Sequence, residues 1–503
     1  MSKSDKWRIC TDLDLTDGFT VIHRFQLISD GHGCRVLYNS RRQVDELVES
    51  IRRTGRLETI SFGQKRDPCV SFFQKLKCVF QPTRTLDAYK SNVGVTITTN
   101  LSGMQSRSEN PSEDSDSTST EAIKPNFVVV RTDTSQLKII DKETLEPIGV
   151  TDQRKLHPGL IGDLSCAHAQ YDPENGDVFN YNLAFGVCST YRIFKTSRST
   201  GETEILATIT NLPAAYIHSF FLTKDFVILC VWSSHFAAGG VKLLWERNVV
   251  DAIGSFNPNS QAKWMVVDRR HGKGLVATFE SPAMFSFHSV NAWQEPRQSS
   301  SEVDIVCDII QYPSLDVLKK LYYENLVSTG SGVAQWKGMA SRPSSTPSLA
   351  RYHLRNVPLP SAEQQTAPPG TIAKAELQFS ASAPLVGDLP TINPHYATKR
   401  SRYIYSLVDQ GRSSWVDGIS KFDTSTKGVA VWSRADHTPG EAIFVPDSTR
   451  VGEDAGYLLS VVLDGRKGTS YLLCLDAETM EEVGSAECDV AVGFGFHGNH
   501  VPS

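Results

Sequence analysis

Thirteen histidines occur in the chain, and four of them share a setting. His168 lies in Cys166-Ala-His-Ala-Gln-Tyr-Asp-Pro173, His218 in Tyr216-Ile-His-Ser-Phe220, His288 in Phe285-Ser-Phe-His-Ser-Val-Asn-Ala-Trp293 and His497 in Gly493-Phe-Gly-Phe-His-Gly498. Each imidazole is embedded in apolar or small residues, where a polar ring costs free energy unless a partner satisfies it. A metal ion shared by all four would be such a partner, because neutral imidazole suits iron, copper and zinc alike. Spacing alone does not require that reading. Local zinc motifs set their ligands a few residues apart, whereas these four are separated by 50, 70 and 209 residues. Taken singly, each is equally a surface histidine or a hydrogen-bonded core histidine.

If ligands so far apart meet on one ion, the chain between them must fold as one cooperative unit. At roughly 150 residues per domain, 503 residues allow about three domains or one large repeat architecture. Most of the sequence alternates short Val/Ile/Leu/Phe runs with turn residues, as in Tyr457–Gly465 followed by Thr469–Leu475, which reads as antiparallel hairpins. Asn175-Gly176 and Thr200-Gly201 mark two further hairpin turns. Helical spacing is confined to Val44, Leu47, Val48 and Ile51 before Gly55, to Leu315, Leu318, Tyr322 and Leu326 after Pro313, and to the short Phe72–Phe80 stretch. A polar run over 105–121 has almost nothing to bury and is expected to be a disordered loop. Such a pattern predicts an all-β propeller or stacked sandwiches, although no repeat is legible.

Composition narrows the classes further. Fifty-one Lys and Arg against 56 Asp and Glu leave a charge of −5, which does not favour nucleic acid as a partner. No apolar run reaches the roughly 18 residues of a spanning helix, and Met1–Trp7 lacks a signal-peptide hydrophobic region. A cytoplasmic location is expected. Ten cysteines, none in a CxxC pair, read as reduced thiols.

The four histidine segments resemble, in order and interval, the iron-ligand motifs of the carotenoid cleavage oxygenase family. The likeness extends to Asp172-Pro-Glu-Asn-Gly-Asp-Val-Phe179, Thr223-Lys-Asp-Phe-Val-Ile-Leu229 and Asn291-Ala-Trp293, and it runs from about Phe19 to the C-terminus. The resemblance implies a single domain over residues 1–503, a seven-bladed β-propeller whose helical cap covers a substrate tunnel. On its axis Fe(II) would be held by His168, His218, His288 and His497. Four imidazoles on an octahedral ion leave two open positions, and family members add both atoms of O2 across a conjugated C=C bond to give two carbonyl fragments. The partners implied are O2 and a lipophilic polyene, with a peripheral membrane contact possible.

The family places three glutamates behind its histidines. The matching positions here are Asp133, Asp388 and Glu441, supporting His218, His288 and His497 respectively. Two are shorter by one methylene, which removes roughly 1.5 Å of reach. Either the backbone approaches to keep each bond, or a water bridges it and the iron is held less firmly. His500 could compete with His497, but the Phe-His-Gly pattern favours His497 and places His500 near the surface.

For the substrate, Phe220, Phe287, Trp293 and Phe496 could line the tunnel, and inner-strand alternation could equally point them into the blades. Stilbene cleavers of the family carry a phenol-polarising Lys where this chain has Thr132, which points to an apolar carotenoid or apocarotenoid. His-Ser-Phe at His218 and Cys230-Val-Trp232 resemble the fungal torulene-cleaving and retinal-forming branch. Phe72, Phe73, Leu76, Val79 and Phe80, with Lys75 and Lys77 on the other face, resemble the segment that dips into a bilayer beside the tunnel mouth; a helix packed on the propeller fits the same pattern. Family members carry some tens of residues before the segment matching Phe19-Thr-Val-Ile-His23, against 18 here, so the N-terminal blade is expected to be shortened. Cleavage of a stilbene or phenylpropanoid, double-bond isomerisation, and a catalytically silent carotenoid-binding propeller are the competing readings.

Overall fold

A computed structural model of the chain describes residues 6–501 apart from 14–17, 30–32, 56, 58, 65–84, 100, 102, 105–126, 187, 299–300, 327–333, 335–342, 361–371 and 414, with 6–13 described as backbone. The expected loop over 105–121 and the Phe72–Phe80 stretch lie outside the described residues.

The strand Phe127–Arg131 shows how apolar runs become layers here. Successive side chains of a strand point to opposite faces. Val128 and Val130 accordingly join one buried cluster with Ile22, Ile97 and Ile140, while Val129 joins another with Leu137, Ala169 and Val178. A sheet buried on both faces must be sandwiched between two neighbours, and this one is.

Among the described residues the strands form seven sheets of four or five strands. Pairing is antiparallel throughout, except where Ala373–Lys374 adds parallel to Leu275–Ser281. Shared apolar clusters connect the sheets in chain order. One runs through the sheets spanning 164–209, 221–281, 289–382 and 388–433. Another joins the sheet of 388–433 to that of 437–487, and a third returns from there to the first sheet, packing Ile443 and Val445 against Phe25. The stack thus closes on itself, which defines a β-propeller.

The seam of the ring is made by the two ends of the chain. Lys6–Leu13 pairs with Val21–Ser29 on one side and with His497–Val501 on the other, setting Asp12 opposite His497. With Cys34–Arg42, the sheet expected to be shortened contains four strands.

Both expected hairpins with glycine turns are present, with φ of 76° at Gly176 and 72° at Gly201. The helix Asp45–Thr54 has acids in its first turn and Arg52 and Arg53 in its last, each complementing the helix dipole, and Gly55 caps it in the left-handed region. The second helical stretch is broken instead into Asp316–Lys320 and Tyr323–Leu326. Tyr322 leaves the helix at the break and its hydroxyl donates to Asp251 (2.7 Å). No helix among the described residues is long and apolar enough to cross a membrane. The seven cysteines described are free thiols.

Candidate metal centre

Each of the seven sheets presents one residue to a common centre. His168 sits between Leu164–Ser165 and Gln170–Tyr171, which both pair with Val178–Ala184, and His218 lies just before Phe221–Leu222. His288 directly precedes Ser289–Pro296, and His497 opens His497–Val501. The other three sheets supply the carboxylates. Asp133 follows Phe127–Arg131, Asp388 opens Asp388–Thr391, and Glu441 links His437–Pro439 to Ile443–Pro446.

The four imidazoles converge so that one ligand atom from each lies within 4.8 Å of the others. His168 Nε2 is 3.1 Å from His218 Nε2 and 3.0 Å from His497 Nε2. His218, His288 and His497 each turn the other nitrogen, Nδ1, to a carboxylate: His218 to Asp133 Oδ2 (2.7 Å), His288 to Asp388 Oδ1 (2.7 Å) and His497 to Glu441 Oε1 (3.0 Å). An ionised carboxylate only accepts, so behind the two aspartates Nδ1 of His218 and of His288 carries the proton and Nε2 is left with its lone pair pointing inward. Protonation does not relieve the crowding. Burial, together with the neighbouring histidines, holds His168 and His497 well below the ordinary imidazole range. His288 Nε2 is buried with no hydrogen-bond partner. Converging lone pairs in a buried site are what a cation satisfies, so the residues present fit a bound metal.

Both aspartates reach their histidines directly. The shorter side chain is accommodated by the backbone, and the means is visible at Asp388. Leu389 adopts φ of 53°, and its N–H donates back to Asp388 Oδ1 (2.8 Å). Gly387 passes so close to the neighbouring strand that a Cβ there would lie 1.6 Å from the Leu407 carbonyl oxygen.

Two tyrosines that sequence reasoning missed complete these carboxylates. Tyr216 donates to Asp133 Oδ2 (2.8 Å) and Tyr312 to Asp388 Oδ2 (2.6 Å). Burial raises both phenols well above their usual range, so they remain donors. Burial also pushes Asp388 upward, but His288 and the Tyr312 hydroxyl outweigh it and hold the carboxyl low. Glu441 has no tyrosine; it accepts from the Gly498 N–H (2.9 Å), and burial raises it to about 8. The i, i+2 spacing of Tyr216 and His218 was the one available signal for the first tyrosine, and nothing in the sequence pointed to the second. Ser219 was also missed. Its hydroxyl accepts from the Ser289 N–H (2.6 Å) and donates to the Phe287 carbonyl (2.7 Å), stitching the second histidine segment to the third.

Beside the histidines opens a cavity of about 290 Å³, lined by Phe62, Phe287, Tyr312, Trp415, Phe494 and Phe496 among others. Of the four aromatics expected in a tunnel wall, Phe287 and Phe496 line it, whereas Phe220 and Trp293 are buried in the sheets. Thr132 faces the cavity, and Val317, Lys320 and Leu321 bring the helix Asp316–Lys320 and its end into the wall, with Asp409. His500 stands apart from the four clustered histidines and is half-buried.

The family model described as retinal pigment epithelial membrane protein matches residues 8–502. The chain belongs to this family, the carotenoid oxygenases. A carotenoid dioxygenase of Neurospora crassa is 43% identical, with 97% of this chain and 82% of the relative covered. A torulene dioxygenase of Gibberella fujikuroi is 41% identical over 97% of this chain and 84% of its own. Identity of this extent to dioxygenases makes this member of the carotenoid oxygenases a dioxygenase. Among solved structures, a glutamate-to-aspartate variant of the Synechocystis apocarotenoid oxygenase superposes with a TM-score of 0.69 at 18% identity, covering 99% of this chain and 93% of its own. That likeness shows the propeller fold.

Proposed function

We propose that the four histidines hold one Fe(II), and that the chain adds dioxygen across one conjugated C=C bond of a carotenoid or apocarotenoid to give two carbonyl fragments. The observation that carries this reading is the set of inward Nε2 atoms, fixed from behind by carboxylates and opening onto an aromatic cavity. Separations of 3.1 and 3.0 Å from His168 Nε2 to the Nε2 atoms of His218 and His497 support a single cation held by all four rings. Iron, when bound, supplies the redox chemistry with O2 that zinc lacks.

The chain's own residues contribute orientation and exclusion of water. Asp133 and Asp388 fix the tautomer of His218 and His288, so no proton competes for those inward lone pairs, and Glu441 orients the His497 ring. Phe287 packs edge-on against His218 with ring centroids 5.8 Å apart, and Phe496 lies against His497, so a polyene entering this wall meets carbon next to the reacting centre. Thr132 in the wall, in place of a phenol-polarising lysine, supports an apolar substrate over a hydroxystilbene. The architecture proposed is one seven-bladed propeller over residues 1–503, one sheet per blade, with short helices capping the cavity. Phe72–Phe80 is the proposed contact with the membranes that dissolve such substrates, and liposome flotation of Phe72→Asp/Phe73→Asp tests it.

The decisive experiment is anaerobic reconstitution with Fe(II), followed by oxygen and a panel of carotenoids, apocarotenals and resveratrol, with chromatography of the products. Two carbonyl products from a carotenoid or apocarotenal are expected. A fully iron-loaded protein that cleaves none of these, or only resveratrol, would overturn the reading.

A further inference from the structure

The two aspartates and the one glutamate behind the histidines differ in more than length. Each aspartate accepts three hydrogen bonds, from its histidine, from a backbone N–H and from a tyrosine hydroxyl; Glu441 accepts from His497 and Gly498. A tyrosine accompanies the carboxylate at both places where the side chain is short.

We propose that Tyr216 and Tyr312 are positioning residues, whose hydroxyls hold the short carboxylates of Asp133 and Asp388 in the orientation that keeps His218 and His288 ready for iron. The inference rests on the iron reading above and deepens it.

The geometry supports this on both sides. Tyr216 precedes His218 by two residues, and in extended chain such residues share a face. Its hydroxyl reaches the same Oδ2 that accepts from His218 and lies 3.2 Å from His218 Nδ1 itself. Tyr312 comes from a different segment but is tied to the third histidine segment by paired backbone bonds with Phe285, of 3.0 and 2.7 Å. Its hydroxyl takes Oδ2 of Asp388, while His288 and the Leu389 N–H take Oδ1, so both carboxylate oxygens are fixed. Both tyrosines are buried and their rings line the cavity. The side chains that shape the substrate wall thereby also orient the metal ligands, and a substitution made to widen the cavity would loosen the centre as well.

The test uses the full chain as apoprotein, titrated without oxygen with Co(II), whose visible absorption reports ligand geometry. The proteins are wild type, Tyr216→Phe, Tyr312→Phe, Tyr216→Phe/Asp133→Glu, and Tyr405→Phe as a control, since that buried hydroxyl bonds the Ala477 carbonyl away from the histidines. Loss of an outer partner of a ligand typically weakens metal binding about 10-fold to 100-fold. A loss of about 10-fold is expected for Tyr216→Phe and for Tyr312→Phe, with a shifted spectrum at saturating cobalt. Wild-type affinity is expected for Tyr405→Phe, and recovery for the double variant, whose longer carboxylate no longer needs the hydroxyl. Unchanged affinity and spectrum in the two phenylalanine variants, or a loss that glutamate does not recover, would overturn the inference. Because the spectrum is read at saturation, it separates altered ligand geometry from general destabilisation. A wild-type chain that binds no cobalt would instead overturn the metal reading itself.

Discussion

Asp133→Asn and Asp388→Asn should differ although the two aspartates play parallel roles. An amide replaces one acceptor oxygen by a donor nitrogen, so the outcome depends on which donors share an oxygen. At Asp388, His288 and the Leu389 N–H both point to Oδ1, and only the Tyr312 hydroxyl points to Oδ2. An asparagine there keeps its oxygen towards the first two, and the hydroxyl rotates to accept from the amide nitrogen. At Asp133, His218 and Tyr216 share Oδ2 at 2.7 and 2.8 Å, and the Ala167 N–H donates to Oδ1 at 3.1 Å. Whichever way asparagine is placed at that position, its nitrogen faces a fixed N–H. A buried donor left without an acceptor costs about 1–3 kcal/mol. Both variants lose the charge, so Asp133→Asn should be less stable than Asp388→Asn by about that amount. Urea unfolding of the two proteins at saturating Co(II), which would hold the His218 proton on Nδ1, measures the difference. The amide can escape the conflict at Asp133 only by forcing the His218 proton onto Nε2, which removes one ligand, so iron content should fall further in Asp133→Asn as well. Equal stability within about 0.5 kcal/mol, or Asp388→Asn as the weaker protein, would refute the reasoning from shared oxygens.

Three further outcomes are expected. His497→Ala should abolish stoichiometric iron binding, measured by metal analysis after anaerobic loading, whereas His500→Ala should retain it. Gly387→Ala should lower both stability and iron content, because its Cβ would displace the Leu407 carbonyl and the adjoining Asp388 with it; wild-type melting and loading would show that the strand yields freely. Burial lowers His23 to about 4 from the usual 6.5, so below pH 6.5 the unfolded chain takes up a proton that the folded chain refuses until about pH 4. Stability from this source is complete above pH 6.5 and is lost as pH falls from there to about 4. The loss amounts to about 2 kcal/mol between pH 7 and 5. His23→Gln should flatten that part of the urea-midpoint profile.

The cluster of four histidines was legible because each stood in an apolar segment and their order matched a known pattern, and the three carboxylates behind them followed from the same match. The hairpins were legible from period-2 alternation and glycine turns, as at Gly176 and Gly201. The number of sheets came from the resemblance and not from the strand pattern, because nothing in the sequence distinguishes a strand that closes a ring from one that ends a sandwich; the pairing of Lys6–Leu13 with His497–Val501 is a relation between residues far apart in the chain. Tyr312 escaped for a similar reason, being brought to Asp388 by tertiary packing and not by spacing. Phe220 and Trp293 stood open between tunnel and sheet because each neighbours a histidine in sequence, and alternation turns both into the sheets. Nothing in the sequence marked Lys320, which stands in the cavity wall at the end of the helix Asp316–Lys320.

The seam gives iron a second meaning for this molecule. A strand at the edge of its sheet, held by backbone bonds to a partner from far away in the chain, is the kind of element that opens early in a local unfolding reaction. His497 opens that strand, so on the iron reading the ion holds the seam shut through the other three sheets it touches. A ligand that binds the closed form only, at one hundred times its dissociation constant, adds about 2.7 kcal/mol against opening. That corresponds to about a hundredfold fewer open molecules at any instant. Starved of metal, the chain would lose more than turnover: its ends would part about a hundred times more often, and proteases that wait for open strands would set its lifetime by the supply of iron.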